Sequence, residues 1–190
     1  MLMGLIKKIL KSYLKQYQKK IIELDRKISV FKIAVSATAS YTEFWGDNNN
    51  NNGSNKQDAY AAVVSTINRV NEVFETDLGI RLELVSNDSL IYDNQLNQPY
   101  RSNLSNELQE TLSKKIGESN YDLGHLFAYS NIPDGESGCI GCVCVDGQKG
   151  RAYSTHPFID FSGGGIFLND YFDIDFVAHE IGHQFGAHHT

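Results

Sequence analysis

The chain has 190 residues, 41% of them hydrophobic and 21% charged, which is enough for one domain with one buried core and too apolar for a disordered chain. Its formal net charge of −6 divides unevenly: residues 1–27 carry eight Lys/Arg against two Asp/Glu, and the remainder carries nine against twenty-one. An acidic main body argues against nucleic-acid binding through the phosphate backbone, and the lack of any run of about 18 apolar residues argues against a membrane-spanning helix.

Residues 2–27 read as an amphipathic helix. Leu2, Leu5, Ile6, Ile9, Tyr13, Tyr17 and Ile21 follow helical spacing, and lysines fill most of the other positions. This basic segment, residues 1–28, is expected to be a linker or pro-segment helix packed on a neighbour; contact with a membrane surface is the less favoured reading. Its lysines recur too often for the apolar stretch of a signal peptide, and no small-residue cleavage site follows. A single domain is expected over residues 29–190.

"VFKIAVSATASYTEF" (Val30–Phe44) is β-branched and aromatic and reads as a first strand running into a loop. The asparagine-rich insert Gly46–Asn55 has no means of burying itself and reads as a loop. From Lys56, the apolar stripe Ala59, Ala62, Val63, Ile67, Val70 and Phe74 predicts a long helix stopped by Gly79. Ile80–Ser86 alternates and predicts a second strand. Leu104–Gly117 predicts a second helix with a glycine stop, and Tyr121–Ser130 a third strand, in which His125 reads as a satisfied core histidine.

The next stretch is rich in Gly and Cys and irregular. It leaves room for one short edge strand, expected between Ile140 and Thr155. His156, before Pro157, reads as an exposed loop residue. Cys139, Cys142 and Cys144 fall within six residues, and an odd count fits neither a disulfide framework nor a complete structural zinc site. A local disulfide, or a pairing to a partner outside this sequence, is favoured over a second metal shared with His156. Gly163–Asp170 reads as a last short strand, and alternating strands and helices imply a mainly parallel sheet covered by helices.

The final segment carries the chemistry. Asp173 is placed as the N-cap of a helix whose stripe is Ile174, Val177, Ala178, Ile181 and Phe185. His179 and His183, four apart, lie on one helical face and point roughly 160° away from that stripe. One side of the helix can therefore pack on a sheet while the other presents two imidazoles to one metal ion. Gly186 can turn the chain sharply and return His189 to the same ion. Three neutral nitrogens and an open fourth position suit a catalytic zinc site, with Glu180 beside it as the general base toward a zinc-activated water. His188 is expected to be a solvent-facing neighbour.

The pattern H-E-x-x-H-x-x-G-x-x-H at His179, Glu180, His183, Gly186 and His189 resembles the signature of the metzincin zinc endopeptidases. The order of "FKIAVSATASYTEF", long helix, "YDLGHLFAYS", Cys- and Gly-containing segment and "FDIDFVAHEIGHQFGAHHT" is similar to their reprolysin-like (adamalysin-related, M12B-type) branch, over about residues 29–190. Thr190 stands where adamalysins carry Asp. The resemblance implies an α/β fold: the N-terminal metzincin subdomain, with a twisted, mostly parallel five-stranded sheet, an antiparallel edge strand lining the cleft, two backing helices and a C-terminal zinc-binding helix. It further implies one catalytic Zn2+, a protein or peptide substrate docked on the edge strand, and export from the cell, although this chain shows no signal peptide. The only methionines are Met1 and Met3, so the methionine turn and lower subdomain of metzincins are expected to be missing from residues 29–190. Two functions follow: a zinc-dependent metalloendopeptidase, or a catalytically inactive zinc-binding fragment acting as an interaction module.

Overall fold

The computed structural model describes residues 28–46, 55–158 and 171–189. The expected helix at 2–27, the asparagine-rich insert at 47–54, the expected strand at Gly163–Asp170 and Thr190 lie outside the described residues. Among the described residues, no helix is long and apolar enough to cross a membrane.

Strand β1 (Ser29–Ala37) leads into helix α1 (Ala39–Gly46), and helix α2 (Lys56–Asp77) is followed by strand β2 (Ile80–Leu84). Helix α3 (Leu104–Lys115) precedes strand β3 (Leu123–Tyr129), then β4 (Asp134–Ser137) and β5 (Ala152–His156). A π-helical segment, Tyr171–Ala178, runs directly into helix α4 (His179–Gln184). The five strands form one sheet in the order β2-β1-β3-β5-β4, with β4 antiparallel to β5 and every other pairing parallel. This is the expected α/β fold, with its antiparallel edge strand and helices on both faces.

The period-two alternation of strands feeds two cores. On one face, Ile33, Val35, Leu82, Leu123 and Phe127 pack with Ala59, Val63, Ile67, Val70 and Phe74 of α2 and with Val177 and Ile181 at the end of the chain. On the other, Ala34 and Leu126 pack with Leu108 and Leu112 of α3 and with Leu90, Tyr100 and Tyr121. Burial of the Val, Leu, Ile and Phe side chains among them, each contributing about 1.5–3 kcal/mol, holds the helices to the sheet.

Four expectations need correction. The residues after Ala37 are a helix rather than a loop: α1 buries Tyr41, whose ring meets Trp45, Phe127 and Phe158. The edge strand is Asp134–Ser137, upstream of the Ile140–Thr155 window, and β5 is the inner strand that it borders. Asp173 is not an N-cap. It lies within the π-helical segment and its carboxylate accepts a hydrogen bond from the Thr66 hydroxyl of α2 at 2.8 Å. The wider π turn brings residues five apart onto one face, so Phe172 and Val177 are both buried while Ile174 is only partly so. His156 is the buried last residue of β5, not an exposed loop residue. Its Nδ1 accepts the Phe158 N–H at 2.8 Å, and its ring lies among Phe158, Phe172 and Phe176.

The two outer strands differ. On β2, the buried Asn71 side chain accepts from the Leu82 N–H at 2.8 Å and donates to the Leu82 carbonyl at 2.9 Å, which closes that edge. On β4, the Gly138 N–H donates to the Arg151 carbonyl at 2.6 Å in register with the Asp134–Thr155 pairing. Hydrogen-bonded and non-hydrogen-bonded pairs alternate in an antiparallel ladder. Glu136 and Asp134 are therefore the bonded residues, and the N–H and C=O groups of Gly135 and Ser137 point outward along the open edge.

Candidate metal centre

Helix α4 places His179 and His183 one turn apart, and Gly186, with φ of 105°, folds the chain back. Three Nε2 atoms converge. His179 and His183 are 3.0 Å apart, His179 and His189 3.0 Å, and His183 and His189 2.8 Å. Among the described residues, these three form the group able to hold a metal ion. The structure thus brings together the three histidines singled out from sequence. His188 is exposed and stands outside the group.

The donor set fits zinc. Imidazole nitrogens bind it at about 2.0–2.1 Å, and three ring nitrogens 2.8–3.0 Å from one another can share one ion. The tautomer is also prepared. His183 Nδ1 lies 2.8 Å from the Ala187 carbonyl, which accepts only, so Nδ1 carries the proton and Nε2 keeps its lone pair for the metal.

Glu180 is on the same helix but turned inward. It is 8% exposed and packs beneath β4. A Cβ built at Gly135 would lie 2.7 Å from Glu180 Oε1 and 3.0 Å from its Cγ. Burial pushes its carboxyl pKa up; His183 and His189 pull it down, and Asp134 and Glu136 of the edge strand add to the upward push. A buried carboxylate with raised proton affinity, beside a group of metal-binding nitrogens, can serve as a proton acceptor.

Two supports were not legible in the sequence. Gln184, fully buried, donates to the carbonyls of Gly124 at 3.2 Å and Lys149 at 3.1 Å, pinning α4 under the sheet. The loop closed by the Cys139–Cys142 disulfide donates from Gly141 N–H to the His183 carbonyl at 3.0 Å and from Val143 N–H to the Gln184 carbonyl at 3.3 Å. The Gln184 carbonyl thereby gains a partner at the helix end, and the His183 carbonyl, already bonded by the Gly186 N–H at 2.9 Å, gains a second. The local disulfide is one of the two readings favoured from sequence; Cys144 is free and exposed.

The family model described as Metallo-peptidase family M12B Reprolysin-like matches residues 60–190. The match begins within α2 and takes in β2 to β5 and the three histidines. No curated protein matches the chain.

Proposed function

Because the chain belongs to the reprolysin-like metallopeptidase family M12B, we propose that it is a zinc-dependent endopeptidase in which His179, His183 and His189 hold one catalytic Zn2+ and Glu180 is the general base. The observation that carries this reading is the convergence of the three Nε2 atoms, at 2.8–3.0 Å, beside a buried carboxylate. When bound, zinc supplies a Lewis acid that polarises the scissile carbonyl and acidifies a water.

The chain's own residues do the rest. The outward N–H and C=O groups of Gly135 and Ser137 receive an extended peptide as an added strand. Glu180 takes the proton from the attacking water at its carboxylate and passes it to the departing amine. His183 stays in one tautomer by donating from Nδ1 to the Ala187 carbonyl. Gln184 and the Cys139–Cys142 loop keep α4 from shifting beneath the strand.

The test is cleavage of a peptide library by purified protein. Chelation should abolish cleavage and added zinc restore it. Glu180→Gln should keep stoichiometric zinc and lose about 10²–10⁴-fold in kcat, the usual worth of a general base. Equal cleavage by Glu180→Gln would remove Glu180 from the mechanism. Stoichiometric zinc with no hydrolysis of any peptide would favour the zinc-binding interaction module instead.

A further inference from the structure

We infer that Gly135 is a positioning residue for Glu180: its missing side chain leaves the room in which the carboxylate sits. The inference rests on the reading of Glu180 as the base.

Gly135 is not among the residues with positive φ, so its backbone makes no demand for glycine. Glycine also weakens a strand relative to alanine. Its presence in the middle of a four-residue edge strand therefore needs another reason, and space supplies one. The Cβ direction at Gly135 meets three atoms of Glu180: Oε1 at 2.7 Å, Cγ at 3.0 Å and Cδ at 3.1 Å. No other residue stands among the nearest contacts. The neighbouring positions do not share this face: Asp134 accepts from the Tyr153 hydroxyl at 2.9 Å and Glu136 from the Ser105 hydroxyl at 2.7 Å, both on the α3 side of the sheet.

The same residue turns its N–H and C=O to the open edge, where a peptide strand would add about 4.8 Å away. Gly135 therefore does two things at once. It docks the peptide backbone and sets the lateral position of the carboxylate beneath it. A methyl group at 135 leaves the docking groups in place and displaces the carboxylate, because a flexible glutamate yields more readily than a paired strand.

Gly135→Ala is the test, and it has two independent readouts. In crystal structures of the zinc-loaded wild type and variant, the Glu180 carboxylate should move away from position 135 by about 0.5 Å or more, since the 2.7 Å approach must open to ordinary contact. A carboxylate left in place, with the strand moved instead, overturns the inference. In kinetics on a short peptide, kcat should fall at least about tenfold, because misplacing a reacting group by 1 Å can cost 10²-fold. KM and zinc content should hold. Unchanged kcat, or losses of zinc and activity together, also overturns it. A further comparison separates position from fold: in a Glu180→Asp background, whose carboxylate is one methylene shorter, Gly135→Ala should cost less than threefold, showing coupling between the two sites. The same factor in both backgrounds refutes coupling. If the wild type cleaves no peptide, the proteolytic reading fails by itself, and the crystal comparison still decides where Glu180 sits.

Discussion

The turn at Gly186 decides whether the third imidazole reaches the other two. With φ of 105°, this residue sits where a Cβ clashes with the backbone, at a cost of roughly 1–2 kcal/mol. Space is not the obstacle, because the nearest atom to an added Cβ is Gly141 Cα at 3.9 Å. Gly186→Ala should therefore fold normally and weaken zinc binding by about tenfold, the equivalent of 1.4 kcal/mol. Competition against a chromophoric chelator measures this, and an unchanged Kd would mean that the turn tolerates a side chain. At this scale the sequence is most readable. The spacing of His179, His183, Gly186 and His189 is a local rule of helix and turn. The supports of those residues are not local. Glu180 is buried by a glycine in a distant strand, and His156 is buried by Phe158, Phe172 and Phe176 although Pro157 beside it is a loop signal.

Among the elements, the helix stripes of α2 and α3 and the alternation of β1 to β3 could be read directly, because each buries one face against a sheet. The edge strand β4 could not. Its sequence "DGES" has no apolar residue to alternate, since one face meets Glu180 and the other is exposed. Helix α1 was hidden for the opposite reason: "ASYTEFWG" has a strand-like composition, and packing of Tyr41 and Trp45 on Phe158 makes it helical. The disulfide loop is a third element whose role is purely tertiary. Gly141 and Val143 bond the last carbonyls of α4, so the loop stiffens the end of the helix that carries His183. Replacing Cys139 and Cys142 by serine should lower zinc affinity by about tenfold, the lower end of what outer supports contribute. It should also speed hydrogen exchange at the Gly141 and Val143 amides. Protected amides and an unchanged zinc Kd would show that the loop holds without the disulfide.

For the molecule as a whole, His125 links the middle of the sheet to the helix that carries the metal centre. This residue is fully buried in the middle of β3, and its Nε2 meets the Ser154 hydroxyl of β5 at 2.9 Å. Gln184 of α4 lies beside it. Burial lowers its pKa to about 3, with Gln184 opposing, so the ring stays neutral in the folded protein at pH values where an unfolded histidine, near 6.5, takes up a proton. The sign follows from linkage. Below about pH 6.5 the unfolded chain binds a proton that the folded chain refuses, so stability present at neutral pH is lost as pH falls toward 3. His156, also lowered by burial, acts in the same direction. His125 alone should remove about 2 kcal/mol between pH 7.5 and pH 5, before most carboxylates titrate. Urea unfolding of the metal-free protein across that range measures the slope without counting release of the ion. In His125→Asn the slope should flatten, although the variant starts from lower stability because a cavity replaces part of the ring. An unchanged slope in the variant would mean that His125 does not carry the acid sensitivity, and that the link from β3 to β5 and α4 is indifferent to its charge.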